Sequence, residues 1–100
     1  MIEFTDKDLE VLYTTQQRKG KYKNLNTIIL KKFVAVCFRM ASYERETDFR
    51  QIPSWNYKRL DNGYSSVRLN DQYRLIIRVT AENNIIIDSI KIDEISKHYE

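Results

Sequence analysis

Four cations late in the chain, Arg68, Arg74, Arg78 and Lys91, are each flanked by apolar residues, and Lys58 with Arg59 enters shortly before them. A guanidinium offers a planar fork of N–H donors that fits phosphate oxygens, and it stays charged at physiological pH. Cations of this kind gathered on one surface form the electrostatic footprint of phosphate-backbone binding. Other chemistries find no comparable support. The chain has no Gly-rich phosphate loop, no Cys and His set at metal-ligand spacing, and no Ser/His/Asp constellation that neighbouring strands would assemble. Neither a metal nor another cofactor is expected.

Strand pairing is what would gather these cations. From Tyr64 onward the apolar period is two, in three runs at residues 64–69, 72–80 and 85–92 rich in β-branched and aromatic side chains. Asn70-Asp71 and Glu82-Asn83-Asn84 separate the runs, which predicts an antiparallel meander. In the second run Tyr73, Leu75, Ile77 and Val79 form the set for helices to cover, and Arg74, Ile76 and Arg78 form the opposite set. In the first, Val67 and Leu69 are covered while Ser66 and Arg68 face outward. A strict two-residue loop would set Val67 against Arg74 and mix the faces. A three-residue connection, Asn70-Asp71-Gln72, aligns Val67 with Leu75 and puts Arg68 across from Arg74. Like charges directly opposed destabilise a sheet unless an anion or carboxylate lies beside them. A two-residue turn at Asn83-Asn84 then sets Ile77 beside Ile90, Leu75 beside Ile92, Arg78 opposite Ser89 and Arg74 opposite Asp93. One alternative to anion binding stays open on that register, in which Arg74 and Asp93 form a salt bridge and Arg78 is simply solvated.

Upstream of the meander the period is helical. Residues 1–4 suit a short strand, after which Thr5 and Asp8 resemble a weak capping box, and Leu9, Leu12 and Tyr13 share a stripe that ends before Gly20. Beyond a basic turn at residues 18–23, Asn24 or Asn26 can cap a longer helix over residues 27–43. Its apolar stripe is Ile29, Leu30, Phe33, Val34, Val36, Cys37 and Met40, with Lys31, Lys32 and Arg39 left outside. Residues 44–62 lack a period and are anchored by Phe49, Ile52, Pro53, Trp55 and Leu60, with a helical turn expected near residues 47–51. Trp55 and Tyr57 either stack on nucleobases or close the core. The expected architecture is one α+β domain over residues 1–100, in which a short first strand and a two-helix hairpin pack on the C-terminal meander.

Composition fits that architecture. A chain of 100 residues has room for one core, and 42% apolar content fills it. Seventeen Lys and Arg against 14 Asp and Glu give a net charge of +3, a mild excess that matters only if the cations cluster. The lone Cys37 sits in an apolar helical run and reads as a buried thiol. The start of the chain has no basic leader segment, and no apolar run approaches the ~18 residues of a membrane span. A cytoplasmic location away from membranes is therefore expected.

Across Gly63-Tyr64-Ser65-Ser66-Val67-Arg68-Leu69-Asn70-Asp71-Gln72-Tyr73-Arg74-Leu75-Ile76-Ile77-Arg78 the sequence resembles the RelE/ParE superfamily of toxins from type II toxin–antitoxin modules. Within it, the likeness is to the HigB, or plasmid-maintenance killer, branch. That branch carries a Gly-x-x-Ser-x-Arg-x-Asn-Asp-x-Tyr-Arg-Leu block on its central hairpin. A Pro-x-x-Asn-x-x-x-Leu stretch precedes the block there, as Pro53-Ser54-Trp55-Asn56-Tyr57-Lys58-Arg59-Leu60 does in this chain. The likeness is tight in these two stretches and loose over most of the remainder.

The resemblance implies a small toxin neutralised by a cognate antitoxin of helix-turn-helix type, with operator DNA reached only through that complex. It implies metal-independent cleavage of mRNA on the ribosome, in which the RNA 2′-OH attacks the adjacent phosphorus and leaves a cyclic phosphate. By the same resemblance Arg74 falls on the arginine that contacts the scissile phosphate, and Arg68 on the arginine preceding it. Lys97, His98 and Tyr99 fall where the branch keeps its proton-transfer residues. The branch often ends in Asp-Tyr-His just after the last strand, whereas this chain is extended and reads His98-Tyr99. Many relatives also carry a His and a Lys upstream, where this chain has Leu60-Asp61-Asn62-Gly63 and only Lys58 or Arg59 as partial substitutes. As the single histidine, His98 is otherwise an exposed bystander. Two other activities are compatible with the resemblance: non-enzymatic inhibition of DNA gyrase, as in the ParE branch, and an inactive relative that only binds antitoxin or nucleic acid.

Overall fold

Alternating apolar residues in the second half of the chain and helical stripes in the first produce two layers in the computed structural model, which describes residues 2–83 and 85–97. One layer is a five-stranded sheet of order β1-β5-β4-β3-β2, built from β1 (Ile2–Phe4), β2 (Lys58–Arg59), β3 (Ser65–Arg68), β4 (Tyr73–Glu82) and β5 (Ile86–Lys97). The other is made by α1 (Lys7–Thr15) and α2 (Thr27–Ala41), with the short α3 (Thr47–Arg50) in the crossover. The α+β architecture expected from the sequence is the one observed. No helix among the described residues is long and apolar enough to cross a membrane.

Helix starts follow local side-chain chemistry. Asp6, rather than Thr5, caps α1, its Oδ1 accepting from the Asp8 amide at 2.8 Å. Thr5 is used elsewhere, its Oγ1 donating to Asp93 Oδ1 at 2.9 Å. Asn26 caps α2 through the Ile28 amide. The helices bury Leu9, Leu12, Ile29, Phe33 and Met40 against Val67, Leu75, Ile77, Ile90 and Ile92, all fully or almost fully removed from water. Each such side chain contributes about 1.5–3 kcal/mol. Cys37 lies among them as a buried thiol whose pKa burial pushes up.

The crossover packs as an aromatic cluster. Phe49 stands 5.6 Å from Trp55, 5.3 Å from Tyr57 and 6.0 Å from Tyr43, centroid to centroid. Trp55 and Tyr57 are buried and close the core, so neither is placed to stack on a base. Two strand pairings were not expected from the sequence. Residues 58–59 pair with β3 as a strand, and β1 pairs with β5 in parallel, Ile2 facing Ile90.

The β3–β4 hairpin has the expected three-residue connection, with Val67 opposite Leu75 and Arg68 opposite Arg74. The β4–β5 register is different from the one expected. Arg78 faces Lys91 rather than Ser89, Ile77 faces Ile92 rather than Ile90, Leu75 faces Ile95 rather than Ile92, and Arg74 faces Ser96 rather than Asp93. A longer turn and two irregularities, at Thr80/Ala81 and Ile76/Ile77, each slide β5 by a residue. The strand also runs on to Lys97 instead of ending at Ile92.

Candidate functional site

The sheet face turned away from α1 and α2 carries the outward set of every strand. Pairing puts Lys58 beside Ser66, Ser66 beside Ile76, Arg68 beside Arg74, Arg74 beside Ser96, and Arg78 beside Lys91 on this face. A cleft of about 300 Å³ opens there, lined by Lys58, Leu60, Ser66, Arg74, Ile76, Ser96 and Lys97. A second depression of about 680 Å³ shares Leu60, Ile76 and Ser96 with it and continues to Lys21, Asp61, Tyr64, Asp93 and Glu94. The two form one groove with a saddle of Leu60 and Ile76.

Arg74 holds the cationic end. Its Nη1 donates to the carbonyl oxygens of Asn70 at 2.8 Å and Tyr73 at 3.3 Å, which fixes the guanidinium at the mouth of the β3–β4 turn. The turn is itself held by Asn70 Oδ1, which accepts from the amides of Gln72 and Tyr73, each at 2.8 Å. Nη2 and Nε of Arg74 have no partner among the described residues, so three N–H donors remain for an anion. Lys58 and Lys97, which line the same cleft, form no ion pair among the described residues.

The fold built from these elements can be compared with known proteins. No family profile and no curated protein matches the sequence. Solved structures match it in shape. A YoeB/ParE toxin from Agrobacterium tumefaciens superposes with a TM-score of 0.54 at 15% identity, over 98% of each chain. A YoeB–YefM complex from Staphylococcus aureus does so with a TM-score of 0.54 at 22% identity, over 99% of this chain and 97% of that one. The fold is that of the YoeB/ParE toxins.

On this YoeB/ParE fold the other cations flagged in the sequence are committed to carboxylates to different degrees. Arg68 pairs with the exposed Asp71 of the turn, which is the carboxylate that relieves the Arg68–Arg74 opposition. A solvent-exposed pair of this kind is worth about 0–1 kcal/mol, so an incoming phosphate can take Arg68 over. Arg78 is more firmly held. Its Nε and Nη2 grip Asp93 Oδ2 and Oδ1 at 2.9 and 2.7 Å, and its guanidinium lies 5.4 Å from the centre of the Tyr64 ring. Asp93 feels opposing influences: desolvation raises its pKa, but the bonds from Arg78 and Thr5 and the charges of Arg78 and Lys91 outweigh it, and the net shift is downward. Arg78 is therefore a structural partner of Asp93 and not a free phosphate ligand. The salt bridge allowed for at Arg74 forms at Arg78 instead, because the bulge displaces Asp93.

Arg59 is also removed from the anion-binding set. Strand alternation turns it away from Lys58, toward Glu46, with which it forms an ion pair. Glu46 is buried, and its Oε2 accepts from Tyr57 Oη at 2.6 Å, while that oxygen lies 3.1 Å from Ser65 Oγ. Burial and the bond to Glu46 push the Tyr57 phenol up to about 12, so it stays a donor at neutral pH. Lys91 is exposed on the open face but does not line the groove. Lys97 does line it, at the end of β5. His98 and Tyr99 lie outside the described residues. Among the described residues no cluster of His, Cys, Asp and Glu could hold a metal ion.

Ser66, Ser96, Leu60 and Ile76 complete the cleft without having been singled out as functional. Parity on β3 and β4 marks Ser66 and Ile76 as outward. Ser96 could be found only with the bulged register, and Leu60 carries no signal because the crossover has no period.

Proposed function

We propose that this chain is the toxin of a type II toxin–antitoxin module and that it acts in the cytoplasm by cutting mRNA on the ribosome without a metal. The observation that carries the reading is the state of Arg74. It is tethered by backbone carbonyls, keeps three N–H donors unpartnered among the described residues, and shares a cleft with Lys58 and Lys97. Such a fork, fixed before substrate arrives, suits the charge that builds on a phosphorane. The likeness to YoeB/ParE folds and the Gly63–Arg78 block, which favours the HigB-like branch, point the same way.

In this reading the RNA 2′-oxygen attacks phosphorus and loses its proton, the 5′-oxygen of the next nucleotide leaves and gains one, and a cyclic phosphate remains. Arg74 binds the scissile phosphate, with Arg68 recruited from Asp71. Lys97 stabilises developing charge, and His98 and Tyr99, which follow it in the chain, carry the protons. Lys58 holds a neighbouring phosphate. The Staphylococcus aureus neighbour was solved as a YoeB–YefM complex, which supports a polypeptide antitoxin as partner of this chain too.

Arg74→Ala tests the assignment. Expressed without its antitoxin, the wild-type chain should arrest growth and leave mRNA ends in register with codons. The variant should fold normally and cut about 10²–10³-fold less. A fully toxic Arg74→Ala variant overturns the role, and arrest without any new mRNA ends would point to a gyrase-type inhibitor instead.

A further inference from the structure

The larger half of the groove is not accounted for by phosphate chemistry. It adjoins the cationic cleft across Leu60 and Ile76, yet Asp61, Asp93 and Glu94 line it together with Lys21 and the ring of Tyr64. A carboxylate only accepts hydrogen bonds, so this end repels phosphate and suits a group rich in N–H donors.

The strand is shaped to present one of these acids. In a regular ladder, successive residues of β5 would alternate between faces, and only one of Asp93 and Glu94 could line the groove. The bulge opposite Ile76/Ile77 puts both there. Asp93 is consumed by Arg78 and Thr5. Glu94 keeps only a loose contact, its Oε2 lying 3.7 Å from Lys21 Nζ. The Lys21–Glu94 pair thus sets a donor beside an acceptor on the lining of a depression large enough for a nucleobase. Tyr64, 37% exposed, borders the same space with a ring.

We propose that this depression is a nucleobase subsite and that it selects guanine next to the bound phosphate. This inference rests on the reading of the adjoining cleft as an RNA-phosphate site. The Watson–Crick edge of guanine carries two adjacent donors, N1–H and the N2 amine, which a single carboxylate accepts in parallel, and an O6 acceptor beside them. Glu94 matches the donors and Lys21 matches O6. Adenine, cytosine and uracil each present at most one of the two donors at that place, so none makes all three contacts. Tyr64 supplies stacking area that every base can use, so it adds affinity without choice.

The test is equilibrium binding of the four ribonucleoside 3′-monophosphates to the intact chain, by calorimetry, with Glu94→Gln and Lys21→Met as variants. Both positions are at the surface, and thermal melts check their folding. Guanosine 3′-monophosphate should bind roughly tenfold tighter than the uridine compound. Glu94→Gln should erase that ratio without weakening the binding of inorganic pyrophosphate, and Lys21→Met should reduce the ratio. Equal affinities for all four nucleotides in the wild type, or a guanine preference untouched by Glu94→Gln, overturns the subsite. Failure of the phosphate reading is distinguishable, because pyrophosphate would then not bind or its binding would survive Arg74→Ala.

Discussion

At the scale of single residues the decisive distinction, among the arginines of the five strands, is between those that meet an acid and Arg74, which meets none among the described residues. Arg59, Arg68 and Arg78 each meet an acid, while Arg74 is held by carbonyl oxygens that cost it no charge. The Arg78–Asp93 pair should show in acid unfolding. The folded pKa of Asp93 lies below its ordinary value of 3.8, so its contribution is present above that value and is lost as pH falls through the depressed folded value. Asp93→Asn should therefore cost about 2 kcal/mol at neutral pH, and the urea midpoints of variant and wild type should converge as pH drops below 3.8. Midpoints that stay apart down to pH 2 would mean that the carboxylate charge is not the source of the effect. The pairings of Arg78 and Arg59 could not be read from residue order alone. Asp93 reaches Arg78 through a bulge, and Glu46 reaches Arg59 from a crossover with no period.

Elements were more legible than the contacts between them. The helices and the meander follow from local periodicity, which is a property of adjacent residues. The β3–β4 register was also legible, because a three-residue turn is a short-range constraint that apolar parity can check. The β4–β5 register was not, since bulges add residues without marking them. At Arg78 the displacement is two residues, from Ser89 to Lys91, which preserves parity and leaves the face of Arg78 as expected. At Arg74 it is three, from Asp93 to Ser96, and the expected partner was lost. The parallel pairing of β1 with β5 was invisible for a further reason, as nothing in a three-residue strand specifies a partner. In the crossover, Phe49 joins α3 to Trp55 and Tyr57, and it is fully buried. Phe49→Ala should cost about 3–5 kcal/mol in equilibrium urea unfolding. A loss under 1 kcal/mol would mean that the crossover is not stapled by this ring.

Over the whole molecule, a net charge of +3 is too small to draw polynucleotide in from a distance, and binding must depend on the few cations that line the cleft. If Arg74, Lys58 and Lys97 meet phosphates, single-stranded RNA binding should weaken with salt at a log–log slope of about −2. A slope near zero would exclude phosphate contacts as the source of affinity, and one far steeper would require cations beyond the groove. The parallel seam that ties Thr5 to Ile92 joins points 87 residues apart. Of the five strands, the last in sequence order thus lies between the first and β4. Until β5 is in place, Arg74 on β4 has no Ser96 beside it and β1 has no strand to dock on. A chain cut short before β5 would accordingly keep Arg74 but lose the wall that Ser96 and Lys97 give its cleft.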